Sequence, residues 1–139
     1  MAKNLEQLRG SVRARGLRAT PSRLAVLELL RSSDAPMSHG DVADHLSSQS
    51  WDRATIYRNL TDLAEARLVR RTDVGDHIWR FEAMASEHDP PHPHFVCTEC
   101  GAVECLPEIE LTIRRARTPR AVRQRKVEVH VRGVCDACL

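Results

Sequence analysis

The stretch Asp52-Arg53-Ala54-Thr55-Ile56-Tyr57-Arg58-Asn59-Leu60-Thr61-Asp62-Leu63, followed by Leu68-Val69-Arg70-Arg71-Thr72 and His77-Ile78-Trp79-Arg80-Phe81, decides the fold. In its first part Ile56, Leu60 and Leu63 recur at three and four, the apolar stripe of a helix. Asp52 stands where a capping carboxylate accepts from the free N–H groups of the first turn, which predicts a helix from Arg53 to about Ala66. From Leu68 the period falls to two, with Val74-Gly75-Asp76 as a turn, and the pattern becomes that of a hairpin.

Upstream, the pattern stays helical. Leu5, Leu8 and Val12 mark one buried face, and Leu24, Leu27 and Leu30 another. Thr20 followed by Pro21 predicts the start of that second helix, because Thr caps and Pro fits the first helical position. Ser38 to Leu46 reads as a short third helix with Val42, Ala43 and Leu46 inward. Helix, short helix, turn, helix and then a hairpin is the order of a winged helix-turn-helix, which residues 1–82 are expected to form. Residues 83–93 are polar and hold Pro90, Pro91 and Pro93, the composition of a hinge. Residues 94–139 read as a small sheet: Phe95-Val96, Ala102 to Leu106, Ile109 to Ile113, and Lys126 to Val131 with alternating Val127, Val129 and Val131. So little apolar material needs a staple such as a metal or a second copy. The fold class expected is α+β, with an N-terminal winged helix and a small second domain.

The chain has 139 residues, 29% charged and 42% hydrophobic, a globular balance too small for most multi-domain enzymes. The most apolar run, Leu24 to Leu30, contains Glu28 and ends at Arg31, so no membrane span is expected. Without a secretory pattern at the start, the expected location is cytoplasmic. A net charge of +2 hides basic clusters. Residues 1–23 carry six Lys/Arg against Glu6 alone, and residues 114–126 carry seven basic side chains and no acid. Either suits a polyanion or a solvated face. The few aromatic residues, and the lack of a Gly-rich phosphate loop or an acid/base pair, offer nothing for an enzyme or a small-molecule substrate.

Five cysteines without a secretory context point to metal or redox chemistry rather than disulfides. Cys97-Thr98-Glu99-Cys100 and Cys135-Asp136-Ala137-Cys138 are two C-x-x-C pairs that bracket the small sheet. Two such turns supply the four thiolates of a closed, structural zinc site. A thioredoxin-like redox site would need a βαβ pattern that is absent. A zinc deaminase would need a His-x-Glu that is also absent. Nearby stand His92-Pro93-His94, Glu82 and the fifth thiol, Cys105, which together suit a second metal. Taken singly, the histidines read equally as solvated and Cys105 as a small buried strand residue.

These strings together resemble the ferric uptake regulator family of bacterial metal-responsive repressors. The match rests on Gly16-Leu17-Arg18-Ala19-Thr20-Pro21-Ser22-Arg23, Arg53-Ala54-Thr55-Ile56-Tyr57-Arg58-Asn59-Leu60, His92-Pro93-His94-Phe95-Val96-Cys97 with its C-x-x-C-Gly, and the closing C-x-x-C. The resemblance implies a homodimer on a palindromic operator of double-stranded DNA, a structural zinc in the dimerisation domain, and a sensory divalent metal at the hinge. It also implies Glu82, His92 and His94 as sensory ligands. The family's histidine ahead of the third helix falls on Pro36, with His39 the nearest substitute. Cys105 stands where peroxide-sensing members have Asp, and a thiol favours zinc over iron or manganese. The resemblance therefore favours the zinc-sensing branch, with an iron- or peroxide-responsive repressor, or a thiol-redox switch through Cys105, as the alternatives. The family's other site maps onto Pro91, Pro93, Thr112 and Val127, which leaves at most two metals per chain. DNA contact is expected from Arg53, Thr55, Tyr57 and Arg58 on the fourth helix, with phosphate contacts from Arg13, Arg15 and Arg18.

Overall fold

A computed structural model describes residues 2–86, 89–106, 109–110, 112, 114 and 117–139. The chain divides into two units, Met1–Glu87 and His88–Leu139.

The first unit runs α1 (Ala2–Ala14), α2 (Pro21–Ser32), β1 (Met37–Ser38), α3 (His39–His45), α4 (Arg53–Glu65), β2 (Val69–Asp73) and β3 (Trp79–Ala83). Helix starts follow the capping chemistry. The Thr20 side chain accepts from the Arg23 N–H, with Pro21 at the first helical position. Ser38 and Asp41 form a reciprocal capping box on α3, and Asp52 accepts from the Thr55 N–H on α4. The Thr55 side-chain and backbone bonds hold the Asp52 carboxyl below its usual value. Leu24, Leu27 and Leu30 meet Ile56, Leu60 and Leu63 in one core with Leu8, Val12, Val42 and Phe81. Two polar ties fix α2 against α4: Asn59 Nδ2 donates to Ser22 Oγ at 2.9 Å in the buried interior, and Arg23 pairs with Asp62 at 2.6 Å.

Three expectations for this unit change. Leu5 is 39% exposed, so only Leu8 and Val12 of its stripe are buried. The two-residue strand Met37–Ser38 adds an edge to the hairpin, giving the sheet order β1-β3-β2, all antiparallel. The hairpin loop is longer than a three-residue turn, running over 74–78 between the strands with Val74 buried. Asp73 Oδ1 accepts from the Gly75 and His77 N–H groups, and Asp76 Oδ1 from that of Ile78.

The second unit holds β4 (His94–Cys97), β5 (Val103–Cys105), α5 (Arg120–Arg123) and β6 (His130–Gly133). Its sheet has the order β5-β4-β6, with β4 antiparallel to β5 and parallel to β6. The strand expected over Lys126–Val131 shrinks to begin at His130. The chain up to Lys126 is used to end α5, with the Lys126 N–H on the Ala121 carbonyl and Arg125 left-handed at φ 56°. Of the strand expected over Ile109–Ile113, residues Ile109, Glu110 and Thr112 are not extended partners, and Leu111 and Ile113 lie outside the described residues. In the basic run 114–126, Arg115 likewise lies outside them. Among the described residues of this unit, the buried apolar side chains are Val96 and the thiol-bearing Cys97. No helix of the described residues is long and apolar enough to cross a membrane.

Candidate metal centres and nucleic-acid interface

Cys97 ends β4, and the turn that follows carries Cys100. The Gly101 N–H closes on the Cys97 carbonyl, and Gly101 sits at φ +76°, where a side chain is strained. The second pair forms a similar turn after β6, with the Cys138 N–H on the Cys135 carbonyl. The four Sγ atoms lie within 4.8 Å of one another, and Cys100 Sγ stands 3.7 Å from Cys135 Sγ. Zn–S bonds of about 2.3 Å in a tetrahedron set an S···S edge of about 3.8 Å, so this donor set fits zinc.

The electrostatics point the same way. Cys97 Sγ accepts from the N–H groups of Cys100, Cys135 and Glu99, each at 3.4 Å. These bonds, that of Cys100 first, hold its thiol down at about 6. Cys138 is pushed up to about 12, mainly by the Cys135 and Cys100 thiols beside it. Cys100 is drawn down by the Ala102 N–H but raised on balance by Cys97 and Cys135. One thiolate is prepared by backbone dipoles and its neighbours resist ionising beside it. A divalent cation removes that conflict.

A second set of donors sits on the same sheet. His92, His94 and Cys105 place ligand atoms within 4.8 Å of one another, with His94 buried and the His92 and His94 ring centroids 4.8 Å apart. His94 and Cys105 face each other across β4 and β5. The Leu106 N–H bonds to the Pro93 carbonyl, so His94 and Cys105 are a pair without mutual backbone bonds, the kind whose side chains approach closest. Glu82 belongs to the first unit, buried on β3 opposite Arg70, whose guanidinium stands 3.7 Å from it. His39 also belongs there. Its Nε2 donates to the Arg53 carbonyl at 2.8 Å and its ring meets Tyr57 edge-on at 5.3 Å. Its observed work is to hold the start of α4. Pro36 is buried.

On α4, Arg53, Tyr57 and Arg58 are exposed and Thr55 is half-buried, with Tyr57 50% accessible despite its aromatic ring. Arg13 and Arg18 are exposed and Arg15 is half-buried. Two features escaped the sequence reading. Arg71 lies over the exposed Trp79 ring at 4.3 Å on the hairpin. His130 pairs in register with His94 from the other side of β4. The alternation of Val127, Val129 and Val131 puts His130 on the opposite face from the valines, but no local signal sets its register.

Residues 14–132 match the model of the ferric uptake regulator family. The chain belongs to the ferric uptake regulator family. The peroxide operon regulator of Bacillus subtilis (strain 168) is 30% identical over 144 residues, covering 99% of this chain and 94% of that protein. Among solved structures, the Helicobacter pylori ferric uptake regulator, which has three functional metal binding sites, covers 99% of this chain and 92% of its own at TM-score 0.67 and 19% identity. A zinc uptake regulator complexed with zinc and DNA covers 99% of this chain and 93% of its own at TM-score 0.62 and 23% identity. Membership makes this a regulator of the metal-responsive class and not an enzyme.

Proposed function

We propose that this family member is a homodimeric, metal-dependent transcriptional repressor. In this reading Cys97, Cys100, Cys135 and Cys138 hold a structural zinc, and Glu82, His92, His94 and Cys105 hold the sensed ion. The observation that carries the reading is the donor set itself: a thiol opposite His94 in closest register, with the His92 ring tilted against that of His94 at 4.8 Å between centroids. Two imidazoles and a thiolate select zinc over iron or manganese. His39 is left out of this ligand set because, among the described residues, it belongs to neither group of converging metal donors. Held by these residues, a divalent ion would supply positive charge that the Glu82 carboxylate and the Cys105 thiolate neutralise.

The rest of the mechanism belongs to the protein's own groups. Arg53, Thr55, Tyr57 and Arg58 meet base edges and phosphates in the major groove, while Arg13, Arg15 and Arg18 add phosphate contacts that position without specifying. A dimer offers two α4 helices, so the operator is an inverted repeat of double-stranded DNA with half-sites about one helical turn, roughly 34 Å, apart. A metal-linked preference for the DNA-competent arrangement of about 1–3 kcal/mol is enough to switch promoter occupancy.

The test is elemental analysis joined to DNA binding, on a duplex selected from random sequence by the zinc-loaded protein. We expect one inert and one exchangeable zinc per chain, an inverted repeat in the selected duplex, and at least tenfold tighter binding with zinc. Cys105→Ser is expected to remove the exchangeable zinc and its effect. A single inert zinc, or binding driven by ferrous iron or manganese and not by zinc, overturns the zinc-sensing reading. Binding that ignores metal but is lost on peroxide treatment assigns Cys105 to a redox switch instead.

A further inference from the structure

Between Glu110 and Glu128 the second unit has no acidic residue, and the basic run 114–126 fills that gap. Its described cations, Arg114, Arg117, Arg120, Arg123, Arg125 and Lys126, are all exposed. Among the described residues, none of them enters an ion pair. Part of the run is fixed by its own backbone. Pro119 opens α5, the Gln124 N–H closes on the Arg120 carbonyl, and the Arg125 and Lys126 N–H groups close on those of Val122 and Ala121. Arg120 and Arg123 stand three apart on this turn, where like charges are neighbours and repel. The turn buries no side chain of its own. A set of cations that repel one another and add nothing to the packing calls for an anion to meet them.

The chemistry of the run narrows that anion. Five of the six cations are arginines, whose forked guanidinium matches a phosphate. No aromatic residue lies between Glu110 and Glu128 on which an unpaired base could stack. The apolar side chains of α5, Ala121 and Val122, are too small to anchor it in a lipid surface. We propose that the run 114–126 is a second DNA-contact surface, which holds backbone phosphates of duplex DNA without reading their sequence. The proposal rests on the DNA-binding reading above and extends it to the second unit. From Ala83 to His94 the chain reaches at most about 40 Å. With α4 on DNA, the tether alone therefore keeps the run at high local concentration around the same duplex. Phosphate contacts of this kind raise affinity and salt sensitivity together, and leave specificity to α4.

The experiment measures DNA binding of the full-length, zinc-loaded dimer by fluorescence anisotropy across a series of salt concentrations. Two duplexes of about 60 base pairs are used, roughly 3.4 Å per pair and so longer than the reach of the tether, one carrying the selected operator and one of random sequence. Arg120→Gln/Arg123→Gln is compared with its charge-keeping counterpart Arg120→Lys/Arg123→Lys, and with Arg31→Gln/Arg67→Gln, which removes the same charge from exposed positions of the first unit. Zinc content and sedimentation check the fold and the dimer. We expect the Gln pair on α5 to flatten the slope of log K against log salt by at least about 0.9, the value of one phosphate contact. It should weaken both duplexes by a similar factor, about threefold or more, and leave their ratio unchanged. The Lys pair and the first-unit pair should keep the wild-type slope. The proposal is overturned if the α5 Gln pair keeps that slope, or if the first-unit pair flattens it equally, which makes the effect one of net charge. It also falls if the α5 substitutions dissociate the dimer, which places the run between protomers, or if phosphatidylserine vesicles hold the wild type more tightly than the random duplex does. A wild-type protein that binds neither duplex sinks the DNA-binding reading itself.

Discussion

The two units are held together by opposite means. Among its described residues the first buries fifteen apolar side chains, from Leu8 to Phe81, around the buried Asn59–Ser22 bond. The second, among its described residues, buries Val96 and Cys97 and otherwise gathers thiols and imidazoles. One unit is stabilised by removing carbon from water, while the other gathers donors whose chemistry suits a cation. On the reading proposed above, the part that would grip DNA needs no metal to fold, and the part that would read the metal supply does.

The sharpest way to break this comparison is to remove the staple. Cys97→Ser, or exhaustive chelation, is expected to unfold the second unit and abolish dimerisation, since structural zinc contributes on the order of 10 kcal/mol to such small domains. The helical circular dichroism of α1–α4 should persist. Loss of both signals together would show that the first unit is not independent. The reciprocal change is Leu60→Ala, at a fully buried position between α2 and α4. It should cost about 2–5 kcal/mol in denaturant melts of the first unit while leaving the zinc content unchanged.

A subtler prediction concerns pH. The Cys97 thiol is held down at about 6, against an ordinary value of 9.0, and Cys138 is pushed up to about 12. In metal-free protein, thiolate absorbance should show one early step near pH 6 and one thiol still protonated at pH 10. Because the folded value of Cys97 is lowered, its stabilising effect on the metal-free unit is complete above pH 9 and fades as pH falls toward 6. Zinc should erase both steps. The smallest effect belongs to the first unit. Arg67 ends α4 in the left-handed region at φ 59°, with the Leu68 N–H closing on the Leu63 carbonyl. Arg67→Gly should raise the melting stability by up to about 1 kcal/mol, measurable by calorimetry.

The first unit was largely legible because its signals are local: Thr20-Pro21, Ser38 with Asp41, and Asp52 each announce a helix within four residues. The strand at Met37–Ser38 was not legible, because two residues carry no period and exist as a strand only through Phe81 and Arg80 across the ladder. In the second unit the C-x-x-C spacing announced the thiol cluster, but the bonds that depress Cys97 come in part from the Cys135 N–H, far along the chain. The place of His130 beside His94 was invisible for the same reason, because register is a property of pairing and not of sequence. Leu5 shows the converse failure: a correct helical period does not say how far along the helix a neighbour reaches.

The parallel pairing of β4 with β6 also sets an order of events. Cys135 reaches Cys97 across 38 positions, and the parallel strands require a crossover between them. Contacts of that span form slowly, because the loop must close before any of them is rewarded. The local helices of the first unit carry no such delay. A chain that folds in this order would present α4 while its thiols are still apart, and a metal held by the four cysteines would then decide how many chains complete the second unit.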